Sequence, residues 1–177
     1  GMIAGDSRTG ICNRTDFVSR YLSTVVKMDG LVVTSKDKQA CLDMTPVDYV
    51  SASIVSLSLR RDFDGLTSHL VNPHRVPYAR LCSFIDAALK RTCASTPEAC
   101  RQVSFLDWLE ELRASSRDQG IALAPLLNYL ETHGLVESEA YNCESTVERL
   151  AESGIACPEI SADLLTVYIT HILQTHS

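Results

Sequence analysis

The segment from Leu42 to Val50 is the part of the sequence that most constrains the fold. The residues Ala40–Met44 predict a short apolar strand, and a helix is predicted to follow and to continue over Ser51–Leu59. Pro46 suits the start of this helix because its φ is already close to the helical value. Asp48 is predicted to cap the helix by accepting its free amide hydrogens. A strand that runs directly into a helix is typical of an α/β protein.

A second strand and helix are predicted at the beginning of the sequence. Met2–Ala4 is an apolar strand candidate, and Gly5–Gly10 is predicted to be a loop because small and turn-forming residues dominate it. Thr15 is predicted to cap a helix that extends to Met28 and is stopped by Gly30. One face of this helix carries Phe17, Tyr21, Val25 and Met28.

The remaining sequence predicts one more strand, one extended piece and several helices. Ser68–Pro73 is interpreted as a strand ended by proline, and Gln102–Ser104 as a short extended segment. Trp108 is assigned to the core. Helices are predicted over Pro77–Lys90 and Ala124–His133, and from Ser161 to Leu173. Two more helices are predicted to begin at capping boxes: one at Ser104 and Asp107, and one at Ser145 and Glu148 that ends at Gly154. Together these elements predict one predominantly helical α/β domain over residues 1–177 with a few short strands.

Composition and charge exclude several classes of function. A chain of 177 residues with 45% hydrophobic content can bury a sizeable core. The net charge of -6, with scattered basic residues, argues against a nucleic-acid partner. No apolar run approaches the roughly 20 residues that a membrane span requires, and no secretory signal pattern is present. We therefore expect a cytoplasmic protein without membrane or nucleic-acid partners.

The seven cysteines never occur in the paired close spacing of a zinc site. Because the spacing gives no ligand set, we expect free thiols in a reducing compartment and no metal centre.

Two motifs resemble the substrate-binding half of extended short-chain dehydrogenases, and specifically the thioester reductase domains that end nonribosomal peptide and polyketide synthases. One motif is Leu42–Val50. The other is Gly1–Gly10 with Asn13 and Asp16–Val18, which is similar to the strand and loop that follow the catalytic tyrosine and lysine in that family. The resemblance covers nearly the whole chain and implies the C-terminal substrate-binding subdomain of such a domain, without the N-terminal Rossmann half.

The nucleotide-binding and proton-donating motifs of that family are absent from the sequence. The glycines do not have the spacing of a dinucleotide-binding turn. The family's proton donor is a tyrosine with a lysine four residues later, and no tyrosine in this sequence has lysine at that position. We therefore assign no catalytic residue here and expect no dinucleotide binding by this chain alone.

The resemblance implies an activity and a set of contacts for the complete domain. Such domains use NADPH to reduce an acyl or peptidyl thioester, held on the phosphopantetheine arm of a carrier protein, to an aldehyde or alcohol. Backbone groups of Met2 and Ile3 are then expected near the nicotinamide. The residues expected to contact substrate are Gly5, Asp6, Ser7, Phe17 and Tyr21.

The resemblance also implies partners. An acidic carrier protein would need a local basic patch, for which the candidates are Arg60, Arg61, Arg75 and Arg80. The upstream Rossmann half of the same polypeptide is expected to pack on Met2–Ala4 and on the Ser51–Leu59 helix. In its absence we expect an apolar patch that is exposed or covered by self-association.

Two other functions are compatible with the sequence. The chain could be a non-catalytic module that binds a carrier protein or substrate, or a fragment of a related carrier-dependent aminoadipate or carboxylic acid reductase.

Overall fold

The computed structural model describes residues 2–34, 41–60, 66–93, 100–116, 120–134 and 141–175. Helices predominate in these ranges, and the strands are two to four residues long. In chain order the elements are β1 (Ile3–Ala4), α1 (Phe17–Lys27), β2 (Leu31–Thr34), β3 (Cys41–Leu42), β4 (Thr45–Pro46), α2 (Val47–Ser58), β5 (Val76–Pro77), α3 (Tyr78–Thr92), β6 (Arg101–Ser104), α4 (Phe105–Ser116), a 3₁₀ turn (Ala124–Leu126), α5 (Leu127–His133), α6 (Glu144–Ala151) and α7 (Ala162–Thr175).

The described strands pair in three separate two-stranded sheets. β1 runs parallel to β4 with Ile3 opposite Thr45, and β2 runs parallel to β6 with Leu31 opposite Arg101. β3 and β5 are antiparallel. Parallel pairs need long crossover connections, which the intervening helices supply here.

The main core lies between α1, β2, α3, α4 and α7. α3 and α7 pack extensively against each other, and Trp108 of α4 is completely buried, as predicted. A second, smaller core joins α2 to α6 through Tyr49, Val50, Leu57 and Leu150. The α2 helix is thus attached to the rest of the chain at its first turn and along one face.

The strand β2 was not predicted from the sequence, where Gly30 was interpreted only as a helix stop. Leu31, Val32 and Val33 directly follow this glycine and are all buried. Four apolar or β-branched residues are too short a run to give a clear period, so only the pairing with β6 identifies the strand.

The predicted strand over Ser68–Pro73 is wrong, because residues 66–73 form no strand and β5 begins later, at Val76. Hydrogen bonds that involve side chains, and not a backbone ladder, fix this segment. The backbone amide of Asn72 donates to Thr45 Oγ1 at 2.9 Å, and Asn72 Nδ2 donates to the carbonyls of Met44 and Pro158, each at 3.0 Å. Pro73 has no amide hydrogen to extend a ladder.

The strand observed within the predicted range Ala40–Met44 is shorter than expected, as far as these residues are described. Only Cys41–Leu42 is a strand, and the next residue, Asp43, accepts a hydrogen bond at Oδ1 from Thr45 Oγ1 at 2.9 Å. Ala40 lies outside the described residues.

Some predicted helix caps are confirmed and others are wrong. Ser161 Oγ accepts from the Leu164 amide at 3.3 Å, and Ser104 and Asp107 exchange hydrogen bonds at the start of α4. The cap of α1 is Asp16 and not Thr15, since Asp16 Oδ1 accepts from the Ser19 amide at 2.8 Å. The capping box of Ser145 and Glu148 does not form, because α6 begins one residue before Ser145 and its N-cap is Cys143.

Candidate functional site

The loop Gly5–Gly10 directly follows β1, at the carboxyl end of a parallel strand. Loops in this position often carry binding groups in α/β proteins. Asp6 folds the loop on itself: its Oδ1 accepts from the amides of Arg8 at 3.0 Å and Thr9 at 2.9 Å, and from Thr9 Oγ1 at 2.9 Å. The amide hydrogens of Arg8 and Thr9 stabilise the carboxylate and lower the pKa of Asp6.

Asp48 of α2 holds this loop, and the predicted role of Asp48 as a helix cap is wrong. The N-cap of α2 is Pro46, which has no side-chain cap hydrogen bond. The carboxylate of Asp48 instead accepts from the Ser7 amide at 2.9 Å and from Ser7 Oγ at 2.6 Å. Pro46 places Asp48 in the first turn of α2 next to β1, so the carboxylate reaches across to the loop and not to its own helix.

Tyr168 of α7 holds the beginning of the loop. Its hydroxyl donates to the Gly5 carbonyl at 2.9 Å, across a sequence separation of 163 residues. The Gly5 carbonyl also accepts from the Val47 amide at 3.3 Å. Burial, followed by the nearby charge of Asp48, raises the pKa of the Tyr168 hydroxyl, which therefore keeps its hydrogen across the physiological range.

Close packing explains two of the glycines in this loop. A Cβ on Gly5 would lie 2.9 Å from the Gly10 carbonyl oxygen and 3.1 Å from the Tyr168 ring. Gly10 has a φ of +75°, and a Cβ there would lie 2.6 Å from His171 Cβ. The loop is therefore pressed against α7, and side chains are excluded at both of its ends.

The two residues predicted to contact the nicotinamide lie at different positions in the sheet. The Met2 carbonyl accepts from the Thr45 amide at 2.9 Å and is thus used within the sheet. Because neighbouring residues of a strand direct their backbone groups to opposite sides, those of Ile3 point to the other edge of β1. Ile3 is also largely exposed. Of the two residues, Ile3 has the backbone groups that are better placed for a ligand.

Phe17 and Tyr21 follow the loop on α1. Phe17 is half-buried, and its ring stacks on Tyr21 with centroids 6.1 Å apart. Tyr21 is 0% exposed and lies against Trp108 with centroids 6.3 Å apart. Burial raises the pKa of Tyr21 well above its ordinary value. Tyr21 thus packs in the core here, and its predicted contact with substrate stays a prediction.

The candidate carrier-binding arginines differ in their exposure and in their contacts with other residues. Arg60 makes an ion pair with Glu152 at 2.7 Å and also donates to the Arg149 carbonyl. Arg61 lies outside the described residues. Arg75 and Arg80 are exposed, and the Arg80 guanidinium lies 5.3 Å from the centre of the Phe84 ring. Because its ion pair partly neutralises Arg60, this residue is a weaker candidate than Arg80.

Three apolar side chains on α2 and directly after it are exposed, and they are the candidates for the expected apolar patch. Ile54, Val55 and Leu59 are 54%, 59% and 79% exposed. Val55 lies on the side of the helix away from Tyr49, Val50 and Leu57, which face the smaller core. Ile54 is four residues after Val50 and therefore lies at the margin of that core, and Leu59 follows the last residue of α2.

A cavity of about 290 Å³ lies beside α2 and contains none of the predicted site residues. Tyr49, His74, Val147 and Cys157 are among the residues that line it. All seven cysteines are free, and no three His, Cys, Asp or Glu side chains within the described ranges could hold a metal ion. No helix in the described part of the chain is long and apolar enough to cross a bilayer.

The long-range hydrogen bonds of Tyr168 to the loop and of Asn72 to the residues around β4 were not predicted from the sequence. Tyr168 falls on the apolar face of the predicted last helix, where tyrosine is ordinarily a core residue. Asn72 belongs to the segment interpreted as a strand. No local pattern distinguishes Tyr168, because its partner is 163 positions away in the sequence. Asn72 precedes a proline and accepts locally from the His74 amide at 2.9 Å, but its bonds to Met44, Thr45 and Pro158 cross more than 25 positions and could not be predicted.

Comparisons with known proteins agree with the motifs. The family described as "Male sterility protein" matches residues 1–54. The chain is 27% identical to one of the proteins that form the linear gramicidin synthase of Brevibacillus parabrevis, in an alignment that covers 99% of this chain and 3% of that protein.

Two solved structures are similar to this chain over almost its whole length. The terminal R domain from the myxalamid PKS-NRPS biosynthetic pathway is 31% identical with a TM-score of 0.83, covering 99% of this chain and 42% of that one. A thiolation-reductase di-domain from an archaeal nonribosomal peptide synthetase is 17% identical with a TM-score of 0.65, covering 98% and 35%, and shows the same fold. The chain thus spans less than half the length of each of these proteins. With its helical α/β fold and matching motifs, this chain belongs to the thioester reductase domains of nonribosomal peptide and polyketide synthases, in the extended short-chain dehydrogenase/reductase superfamily.

Proposed function

We propose that this chain is the C-terminal, substrate-binding part of an NADPH-dependent thioester reductase, which releases a carrier-bound acyl or peptidyl thioester as an aldehyde or alcohol. The observation that carries the proposal is the fixed loop Gly5–Gly10 after β1. Asp48 and Tyr168 hold this loop from two different helices, and the loop and Asp48 lie within the segment that matches the family.

The residues of β1 are compatible with a nicotinamide nearby, although this chain has no glycine-rich turn to hold the pyrophosphate. The edge of β1 away from β4 carries the backbone groups of Ile3, a residue that is 47% exposed. When bound, the nicotinamide supplies the hydride. We assign Ile3, with Met2 next to it, to positioning that ring, and we assign the phosphate contacts to a nucleotide-binding portion of the same polypeptide.

The substrate side of the site is assigned to the loop and the start of α1. Gly5, Asp6 and Ser7 lie in the loop whose backbone is fixed by side-chain hydrogen bonds, so they can position a thioester without first being ordered. Phe17 is half-buried and can border the entrance. Tyr21 supports Phe17 from the core through their stacked rings.

The exposed apolar residues Ile54, Val55 and Leu59 at α2 are assigned to contact with the nucleotide-binding portion. Isolated two-stranded sheets are marginal in water, and parallel sheets are ordinarily covered on both faces. Such a neighbour would cover the pair β1 and β4, together with Ile54 and Val55 of α2 and Leu59 directly after it.

The carrier protein is assigned to the surface around Arg75 and Arg80, with Arg60 and Arg61 as further candidates. The archaeal relative of known structure contains a thiolation domain next to its reductase domain, which supports a carrier partner. Because the chain has a net charge of -6, attraction of an acidic carrier would depend on such local arginines.

A kinetic comparison tests this function. A polypeptide containing this chain and a nucleotide-binding portion should oxidise NADPH when given a carrier-bound acyl thioester. Arg80→Glu should raise the apparent KM for the carrier-bound substrate several-fold and leave the KM for a small free thioester unchanged. Absence of NADPH oxidation with every thioester would contradict the reductase function, whereas equal effects on both substrates would exclude only the arginine surface.

A further inference from the structure

The two hydrogen bonds between Ser7 and Asp48 determine where the Ser7 hydroxyl hydrogen points. The Ser7 amide donates to Oδ1 at 2.9 Å, and Ser7 Oγ donates to Oδ2 at 2.6 Å. A carboxylate has acceptors only, so the one hydroxyl hydrogen of Ser7 is committed to Asp48. The Ser7 hydroxyl can therefore offer only its lone pairs to another group.

Ser7 is also partly accessible and held in place. Ser7 is half-buried, so part of the residue still faces solvent. Its neighbours are fixed on both sides, because Asp6 binds the amides of Arg8 and Thr9 and Tyr168 binds the Gly5 carbonyl. An acceptor held in this way loses little conformational entropy when a ligand binds.

We propose that Ser7 Oγ recognises an amide N–H of the substrate, and that Asp48 is the positioning residue that makes Ser7 an acceptor. This inference rests on the proposed function. A thioester carbonyl has no hydrogen to donate and would face the lone pairs of Ser7, so Ser7 does not stabilise the reacting carbonyl. Amide N–H groups occur both in the phosphopantetheine arm and in a peptidyl chain, and the experiment below distinguishes these two sources.

The substitution Asp48→Asn inverts the polarity of Ser7 with almost no change in side-chain size. The Ser7 amide still requires an oxygen at the position of Oδ1, so the amide nitrogen of the asparagine must face Ser7 Oγ. That nitrogen donates to Oγ, and the hydroxyl hydrogen of Ser7 becomes available to the ligand. In this variant Ser7 becomes a donor toward substrate.

The test uses two pairs of thioesters with the reductase polypeptide that contains this chain and a nucleotide-binding portion. In the first pair, an acyl N-acetylcysteamine thioester is compared with its N-methyl amide. In the second pair, a thioester whose acyl part contains an amide is compared with the same thioester N-methylated at that amide. For the pair that Ser7 contacts, the wild type should prefer the N–H form in kcat/KM by roughly five- to tenfold more than Ser7→Ala does.

Ser7→Ala measures how much of the preference for the N–H form comes from the bulk of the N-methyl group, since this variant has no hydroxyl to contact the amide. The part of the preference that depends on the Ser7 hydroxyl should be abolished or reversed in Asp48→Asn. A purely structural effect of Asp48 would lower kcat/KM equally for both members of a pair. The inference is overturned if neither pair shows a preference that depends on Ser7, or if the preference persists in Asp48→Asn.

Binding to the 177-residue chain itself separates this inference from the proposed function. Unreactive thioether analogues of the same pairs can be titrated while NMR follows the amides of Arg8, Thr9 and Gly10. Tighter binding of the N–H analogue to the wild type, with no such difference in Ser7→Ala, supports the role of Ser7 even if no thioester is reduced. Equal binding of both analogues to the wild type contradicts it.

Discussion

The hydrogen bond from Tyr168 to Gly5 provides a quantitative test of how the loop is held. Tyr168→Phe removes the hydroxyl and leaves the ring, so packing against Gly5 is preserved. The Gly5 carbonyl keeps its hydrogen bond with the Val47 amide at 3.3 Å, and its oxygen is therefore not left without a partner. The expected loss of unfolding free energy is that of one buried neutral hydrogen bond, about 1 kcal/mol.

The matched control is Tyr129→Phe. Tyr129 is 53% exposed on α5, where water can replace any partner of its hydroxyl, so this variant should stay within about 0.3 kcal/mol of the wild type. Urea unfolding gives both free energies, and a loss of about 1 kcal/mol corresponds to a fall in Tm of roughly 2–4 °C for a chain of this size.

A second readout localises the effect. Hydrogen exchange at the amides of Arg8, Thr9 and Gly10 should become faster in Tyr168→Phe and remain unchanged in Tyr129→Phe. If Tyr168→Phe matches the control in both stability and exchange, the hydroxyl does not hold the loop and the description of the site is wrong.

Three further predictions concern other parts of the molecule. Hydrogen bonds from Lys90 and from the Cys100 amide lower the pKa of Asp86. Above the pKa of the unfolded carboxyl group, the wild type should therefore be more stable than Asp86→Asn by up to about 1 kcal/mol. This difference should disappear as the pH falls through the lower pKa of the folded state, which urea unfolding at several pH values measures. If the exposed apolar residues at α2 drive self-association, Val55→Asp should raise the protein concentration at the dimerisation midpoint at least about tenfold, as measured by light scattering. The control Leu106→Asp on α4 should leave this concentration unchanged, and equal behaviour of both variants would exclude the α2 residues from the contact. Calorimetry with the 177-residue chain alone should show no saturable NADPH binding, and micromolar binding would contradict the division of roles proposed here.

The helices of this chain could be predicted from the sequence because their signals are local. Apolar spacing placed α1, α3 and α7, and Ser161 and Ser104 were correctly identified as cap residues. The strands were harder to predict, since each contains only two to four residues and is defined by its partner.

The residues of the candidate site could be proposed from the sequence, but their contacts with each other could not. The motifs drew attention to the loop Gly5–Gly10 and to Asp48, which the structure brings together, yet the local interpretation of Asp48 was a helix cap. Its actual partner, Ser7, is 41 residues away, and Tyr168 binds Gly5 across 163 residues. A spacing rule within one helix cannot contain such contacts, because the folded core brings these elements together.

The fate of a labelled hydride is the measurement that tests the proposed function most directly. A polypeptide with this chain and a nucleotide-binding portion would be given a carrier-bound acyl thioester and NADPH deuterated at the transferable position, and the released product would be analysed by mass spectrometry. We expect an aldehyde with one deuterium on the former thioester carbon, or an alcohol with two. Release of an unlabelled carboxylic acid, or of no product while the carrier remains loaded, would contradict it.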